Sequence, residues 1–395
     1  MSLADFTKCI SPQGQGPVCQ LDAGIYQLSL PLVIGRSNIA VKGTVTSSRA
    51  DTTLRRSPGS TRALLASYAQ NPNLRSITIR DFTFDGARDQ QSAAATSFEP
   101  DVRLISVESV LITNAAFVDS PSIALTLEGA AGQAATSGVV VNNVSIDNAA
   151  LLGIWAYAVD GPSDTPGKYL TCGSLTYPTS ITITNSTFTN VGANAIALEA
   201  RRVQLSNNTL RHNHETAPFN APGGQMYVQI CSDDIALQSN SISDGPATAN
   251  GWYADGIELH GTNLSVVDNT ITNNAGSGIA MSAVQDVFIA NWTPDTAVLG
   301  NNLVAGNAGG ISVYNAAPGD VNERQVDFIT IDHAVSINGK LAGIGMFLQT
   351  GQTNPIHHVT ITNNCLSGNL NGPLRVSGVA SDAIITDNLS SGCPQ

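Results

Sequence analysis

One short pattern of apolar and polar positions recurs along the chain: apolar, any, Asn or Asp, any, any, apolar. It is present at Ile79–Phe84, Ile112–Phe117, Val141–Ile146 and Ile183–Phe188, and again from Leu205, Leu237, Val266, Leu299, Ile361 and Ile385. A degenerate copy starts at Ile331. The third position falls at 81, 114, 143, 185, 207, 239, 268, 301, 333, 363 and 387, at intervals of 22 to 42 residues. Midway between these markers lies a second pattern, Gly-Ile-x-apolar, from Gly256, Gly278, Gly310 and Gly343, with a related segment from Ala195. Both patterns alternate with period 2, which predicts short strands. No interval sustains a helical period with caps, so few helices are expected.

Short strands that persist while the segments between them vary in length predict a coil of three strands per turn. Each strand stacks about 4.8 Å above its counterpart in the next turn. Apolar side chains then fill the tube, and Asn at the sharp corner tolerates a left-handed backbone and bonds to the corner above it. No single turn can bury its apolar face alone, so the array forms one core.

These repeats, together with the opening segment "LDAGIYQLSLPLVIGRSNIAVKG" from Leu21, resemble the right-handed parallel β-helix of the pectate-lyase-like superfamily. The resemblance covers about residues 20 to 390. The expected fold is all-β: a right-handed parallel β-helix solenoid of about eleven to twelve coils, read as one domain over 1–395. Residues 1–35 are expected to form an N-terminal cap and entry turns, 36–390 the coils, and 391–395 a tail.

Composition narrows the partners. The chain has 395 residues, of which 12% are charged and 33 are Asn, with a net charge of −12 from 14 Arg, 4 Lys and 30 acidic residues. Nucleic acid needs a basic stripe, so it is not expected as a partner. No apolar run reaches 18 residues, so no membrane-spanning helix is expected. Six cysteines fall as Cys9 and Cys19, Cys172 and Cys231, Cys365 and Cys393. That pattern fits disulfides and an oxidising compartment, and predicts a secreted or periplasmic protein. The start, "MSLADFTKC", has no signal-peptide pattern and reads as a mature chain.

By the resemblance, the Gly-Ile-x-apolar strand lines the substrate cleft. Its apolar residues point inward, so alternate residues point out. These are Thr126 and Glu128, Trp155 and Tyr157, Ala197 and Glu199, Tyr227 and Gln229, then Glu258 and His260. Ala280 and Ser282, Ser312 and Tyr314, Phe347 and Gln349, and Arg375 and Ser377 complete the face. Carboxylates and a histidine gather in the middle coils with aromatics on both sides, which suits an extended carbohydrate.

Glu258 and His260 lie two apart and share a face, while Glu199 lies two coils earlier, roughly 11 to 12 Å from Glu258 at Cα. Paired carboxylates of this kind suit inverting glycoside hydrolysis, in which one acid protonates the leaving oxygen and the other activates water. The catalytic candidates are therefore Glu258, His260, Glu199 and, at the preceding corner, Asp255. Substrate-binding candidates are Trp155, Tyr157, Arg201, Tyr227, Gln229, Tyr314, Phe347 and Arg375. Asp233 and Asp234 are weak candidates for Ca²⁺, and no cofactor or metal is otherwise expected. The loop Arg211 to Gly224, with His212, His214 and Glu215, is a candidate cleft wall.

Among families of this fold, "SDDIAL" is similar to the Asp pair of polygalacturonases, but their "GHG" and "RIK" motifs are absent. "DGIELH" (Asp255–His260) is similar to the cleft-strand "YGFDPH" of alginate-type epimerases in placing an acid and a His two apart, with Asp255 where that family has Tyr. The reading this supports is a secreted, monomeric, polysaccharide-active enzyme of the glycoside hydrolase type. The alternatives are a polysaccharide lyase or uronate epimerase, and a non-catalytic carbohydrate-binding or adhesive β-helix.

Overall fold

The computed structural model describes residues 1–46, 50–67, 73–130, 132–158, 176–213, 224–229, 231–247, 254–282, 297–300, 303–305, 309–314, 327–339, 341–347, 357–377, 379 and 381–393. They form two compact units. One holds the described residues up to Thr209, the other those from Leu210 onward.

Each unit is a stack of parallel strands. In the first, Val107–Val118 pairs with Leu74–Arg80 on one side and Ser137–Asp147 on the other. The register puts Ile77, Val110 and Val139 in one buried column and Ile79, Ile112 and Val141 in the next. Phe84 and Phe117 continue this logic, with rings stacked 4.8 Å apart at an angle of 20°. In the second unit one turn consists of Asp255–Leu259, Thr262–Val267 and Thr270–Thr272, and the next of Ser277–Ser282, Ala297–Gly300 and Leu303–Ala305. Each strand pairs parallel with its counterpart, giving the three-strand turn expected from the repeat.

The turning is done by single residues. Every described marker residue of the sequence repeat has positive φ: Asp81 (63°), Asn114 (51°), Asn143 (53°), Asn185 (51°), Asn207 (55°), Ser239 (55°), Asp268 (57°), His333 (51°), Asn363 (55°) and Asp387 (57°). Asn and Asp enter this left-handed region at least cost because their short polar side chains bond locally. Two further columns flank the first at five residues' distance, exemplified by Ser109 and Asp119 about Asn114, and Ser180 and Asn190 about Asn185. The sequence pattern exposes only the middle column, because the flanking ones accept Ser, Arg, His and Gly as well.

The corner ladder is also divided differently from expectation. Exposed marker asparagines do bond to the coil before, as Asn143 Nδ2 donates to Asn114 Oδ1 at 2.7 Å. A second, buried ladder runs one residue later. There the Asn240 amide nitrogen donates to Asn269 Oδ1 at 2.9 Å, and Asn269 in turn donates to the Leu237 carbonyl at 2.9 Å. Satisfying these amides internally is what permits asparagine in a core position.

A helix, Leu3–Ile10, caps the entry, with the Ser2 side chain accepting from the Asp5 amide and Phe6 and Ile10 fully buried. Cys9–Cys19 and Cys365–Cys393 are disulfides, as expected. Cys231 is disulfide-bonded too; Cys172 lies outside the described residues. Among the described residues no helix is long and apolar enough to cross a membrane.

Candidate functional site

On Asp255–Leu259, Ile257 and Leu259 are buried in the core, and alternation sends Glu258 and the following His260 to the other face. Glu258 sits in register between Tyr227 on the preceding strand and Ala280 on the next. Close approach here needs glycine: a β-carbon at Gly224 would lie 2.7 Å from the Glu258 amide nitrogen. Glu258 and His260 are only 5% and 8% exposed. His260 Nε2 lies 2.9 Å from Glu258 Oε1, and the Tyr227 ring meets the imidazole edge-on at 5.4 Å. Glu258 Oε2 is buried and has no hydrogen-bond partner among the described residues. A carboxylate oxygen in that state is costly unless a ligand or water serves it.

Asp255 adds a second carboxyl. Its Oδ1 accepts the Ser277 amide N–H, and the space for it exists because residue 276 is glycine, where a β-carbon would lie 2.3 Å from that oxygen. Burial, reinforced by the negative charge of Glu258, pushes the Asp255 carboxyl from 3.8 up to about 8; the Ser277 N–H works against this. Asp255 thereby keeps its proton at neutral pH, the state a general acid needs.

The first unit carries its own cluster. Glu128, fully buried in Leu125–Gly129, receives Arg103 through Nε at 2.9 Å and Nη2 at 2.8 Å, and the Thr126 hydroxyl at 2.7 Å. Tyr157 lies in register with Glu128, close enough to feel its charge. Burial and then the charge of Glu128 raise the Tyr157 hydroxyl far above its ordinary range, so it acts as a donor. Trp155 stacks on Tyr157 with centroids 3.8 Å apart and planes 15° apart.

The other sequence candidates are placed as follows. Glu199 is buried in the first unit, beside Ile196–Leu198, and its charge adds to burial in raising the Tyr177 hydroxyl. Arg201 lies with Cζ 4.9 Å above the Tyr177 ring. Gln229 is half-buried after Gly224–Val228, and Arg375 is exposed on Leu374–Val376, in register with Gly345. Tyr314 and Phe347 are register partners on adjacent strands; their side chains lie outside the described residues, as do His214 and Glu215. His212 occupies a left-handed corner. Asp233 Oδ1 accepts from Thr262 Oγ1 and Asn263 Nδ2 at 2.6 and 2.7 Å, a corner role on the other sheet of the second unit. Among the described residues no group of three or more His, Cys, Asp or Glu side chains could hold a metal ion.

The sequence brings Tyr227, Asp255, Glu258 and His260 together, and the structure does too. It does not single out Arg103, Glu128, Gly276 or Ser277. Glu128 carries a sequence signal, the alternation of Thr126 and Glu128, but Arg103 lies on an earlier turn with no marker near it.

A description of the right-handed β-helix region matches residues 134–327. No curated protein matches the chain by sequence. Among solved structures, the periplasmic alginate epimerase AlgG is similar at TM-score 0.67 and 12% identity, covering 99% of this chain and 83% of its own. The catalytic unit of a thermostable GH87 α-1,3-glucanase from Streptomyces thermodiastaticus strain HF3-3 is similar at 0.68 and 15%, covering 98% of this chain and 65% of its own. A hyperthermoactive exopolygalacturonase from Thermotoga maritima is similar at 0.55 and 11%, covering 84% and 83%. With parallel three-strand turns, left-handed corners and these likenesses, the chain is a right-handed parallel β-helix.

Proposed function

We propose that this protein is a secreted or periplasmic polysaccharide-active enzyme that hydrolyses glycosidic bonds at Glu258. The observation that carries the reading is a buried carboxylate, held through one oxygen by His260 and unpartnered at the other, three residues from a carboxyl pushed up to about 8. In this reading Glu258 Oε2 takes a proton from the attacking water, and Asp255, still protonated at neutral pH, gives its proton to the leaving oxygen. The negative charge of Glu258 acts on the Asp255 carboxyl, so the two groups share one electrostatic environment. His260 orients Glu258. Within the second unit, Tyr227 and Gln229 border the reacting centre, and Arg375 is a further binding candidate. In the first unit, Trp155 and Tyr157 offer a stacking surface for sugar rings. The similarity to hydrolases of this fold supports the class, and the disulfides support the compartment.

The test is hydrolysis of a panel of neutral and uronic polysaccharides by the wild type, Glu258→Gln and Asp255→Asn. Full activity in both variants on a substrate the wild type cleaves would sink the reading.

A second reading, C5 epimerisation of uronate residues, is favoured by the Tyr227–His260 contact, which sets two proton-carrying groups side by side, and by the likeness to an alginate epimerase. Deuterium incorporation from D₂O into an uncleaved polymer separates the two.

A further inference from the structure

In the first unit the column of polar bends is interrupted one coil before Asp119. Asp119 (φ 51°) and Asn148 (φ 60°) hold the bend in successive coils, and Asn148 Nδ2 donates to Asp119 Oδ1. One coil earlier the chain passes through Gly86, where a β-carbon would lie 2.5 Å from the Asp119 carbonyl oxygen, and the left-handed bend moves to Ala87 (φ 50°). Alanine has no polar side chain to continue the ladder. What replaces the missing rung is an open cavity of about 580 Å³, within the roughly 300–1,000 Å³ of small-molecule clefts.

Its walls are polar and oriented. Arg55 Nε donates to Asp85 Oδ2 at 2.6 Å, and Asp85 Oδ1 accepts the Ala87 N–H at 2.8 Å. Arg88 Nη1 donates to Asn148 Oδ1 at 2.8 Å. Neither guanidinium makes another hydrogen bond among the described residues, so each keeps fixed donors for a ligand beside carboxylate and amide acceptors.

The lining also selects the ligand. Carboxylates outnumber the two guanidinium groups, since Asp85 and Asp119 are joined by Asp89, which disfavours an anionic ligand. The two guanidinium groups disfavour a metal ion. No aromatic ring lines the space, so a flat apolar ligand gains little. A sugar hydroxyl both donates and accepts, and matches closely spaced donors and acceptors of either kind. We propose that this cavity is a binding site for a neutral, hydroxyl-rich saccharide, built wholly within the first unit and separate from Glu258.

The experiment uses the full chain carrying Glu258→Gln, which preserves any oligosaccharide added. Neutral gluco-oligosaccharides of several linkages, and a matched oligoglucuronide, are titrated by saturation-transfer NMR and calorimetry. The same titrations are run after adding Arg88→Gln or Asn148→Ala, with folding checked by circular dichroism, and after adding Tyr227→Ala to report on the catalytic strand. The site predicts saturable binding of a neutral member, weakened at least tenfold by Arg88→Gln and by Asn148→Ala and unchanged by Tyr227→Ala. Binding that folded Arg88→Gln leaves intact, preference for the oligoglucuronide, or no binding by any neutral member overturns it. Cleavage of a short substrate by an Arg88→Gln single variant is expected to equal wild type, so loss of this site and loss of the hydrolase reading give different results.

Discussion

His260 Nε2 contacts Glu258 Oε1 at 2.9 Å while Glu258 Oε2 remains buried without a partner. One oxygen is thus fixed by His260, and the other is left without a hydrogen-bond partner among the described residues. General acid–base groups contribute on the order of 10²–10⁴ in rate, so Glu258→Gln is expected to lower kcat by at least about 100-fold with little change in KM. His260→Gln, which removes an orienting hydrogen bond to a charged group, should cost about 10- to 100-fold. Steady-state kinetics on a cleaved polysaccharide check both.

Asp255 makes pH the sharpest probe. Its carboxyl is raised from 3.8 to about 8, mainly by burial and then by Glu258. The folded chain therefore keeps a proton that the unfolded chain releases, and stability falls as pH rises from about 4 to about 8. Asp255→Asn removes that loss, so its Tm should exceed that of wild type increasingly across this window, while its activity is lost. In the wild type, hydrolysis that uses Asp255 as acid should decline as pH passes about 8. A flat rate profile there, with unchanged stability slopes in Asp255→Asn, would remove Asp255 from the mechanism.

Gly276→Ala tests the same carboxyl without altering any ionisable group. The new β-carbon would stand 2.3 Å from Asp255 Oδ1, so the carboxyl must leave the Ser277 amide. The expected result is a fall in kcat of about tenfold or more and a shifted alkaline limb, measured beside a thermal melt that shows the chain folded.

In the sequence, the three-strand turn and its middle column of corners were visible because Asn and Asp at left-handed positions leave a regular mark. Glu258 and His260 were visible for the same reason, lying on a strand whose alternation is plain. Arg103 and Glu128 were not joined in advance, since their bond depends on two strands in different turns meeting in register. Asp255's proton affinity was likewise hidden, because burial by a neighbouring coil is a property of the stack.

Trp155 and Tyr157 predict a separable binding effect. Trp155→Ala is expected to weaken oligosaccharide binding to the first unit about 3- to 10-fold, in line with roughly 0.5–1.5 kcal/mol for an aromatic contact, read by calorimetry.

The Arg56–Asp101 pair is fully buried, with Nη2 2.8 Å from Oδ1. Arg56→Met leaves a buried carboxylate alone and is expected to cost about 3–5 kcal/mol; replacing both residues by apolar ones of similar volume should recover most of that. Equilibrium denaturation of the single and double variants decides it.

Because each bend is made by one left-handed residue, the chain changes direction without spending a loop on it. Extra length can therefore be inserted at one corner of a turn while the strands on either side keep their partners above and below. The intervals of 22 to 42 residues between markers are the trace of this freedom. A stack built this way can gain a new wall beside Glu258, or a new recess beside Arg88, by lengthening a single turn, and every other turn carries on as before.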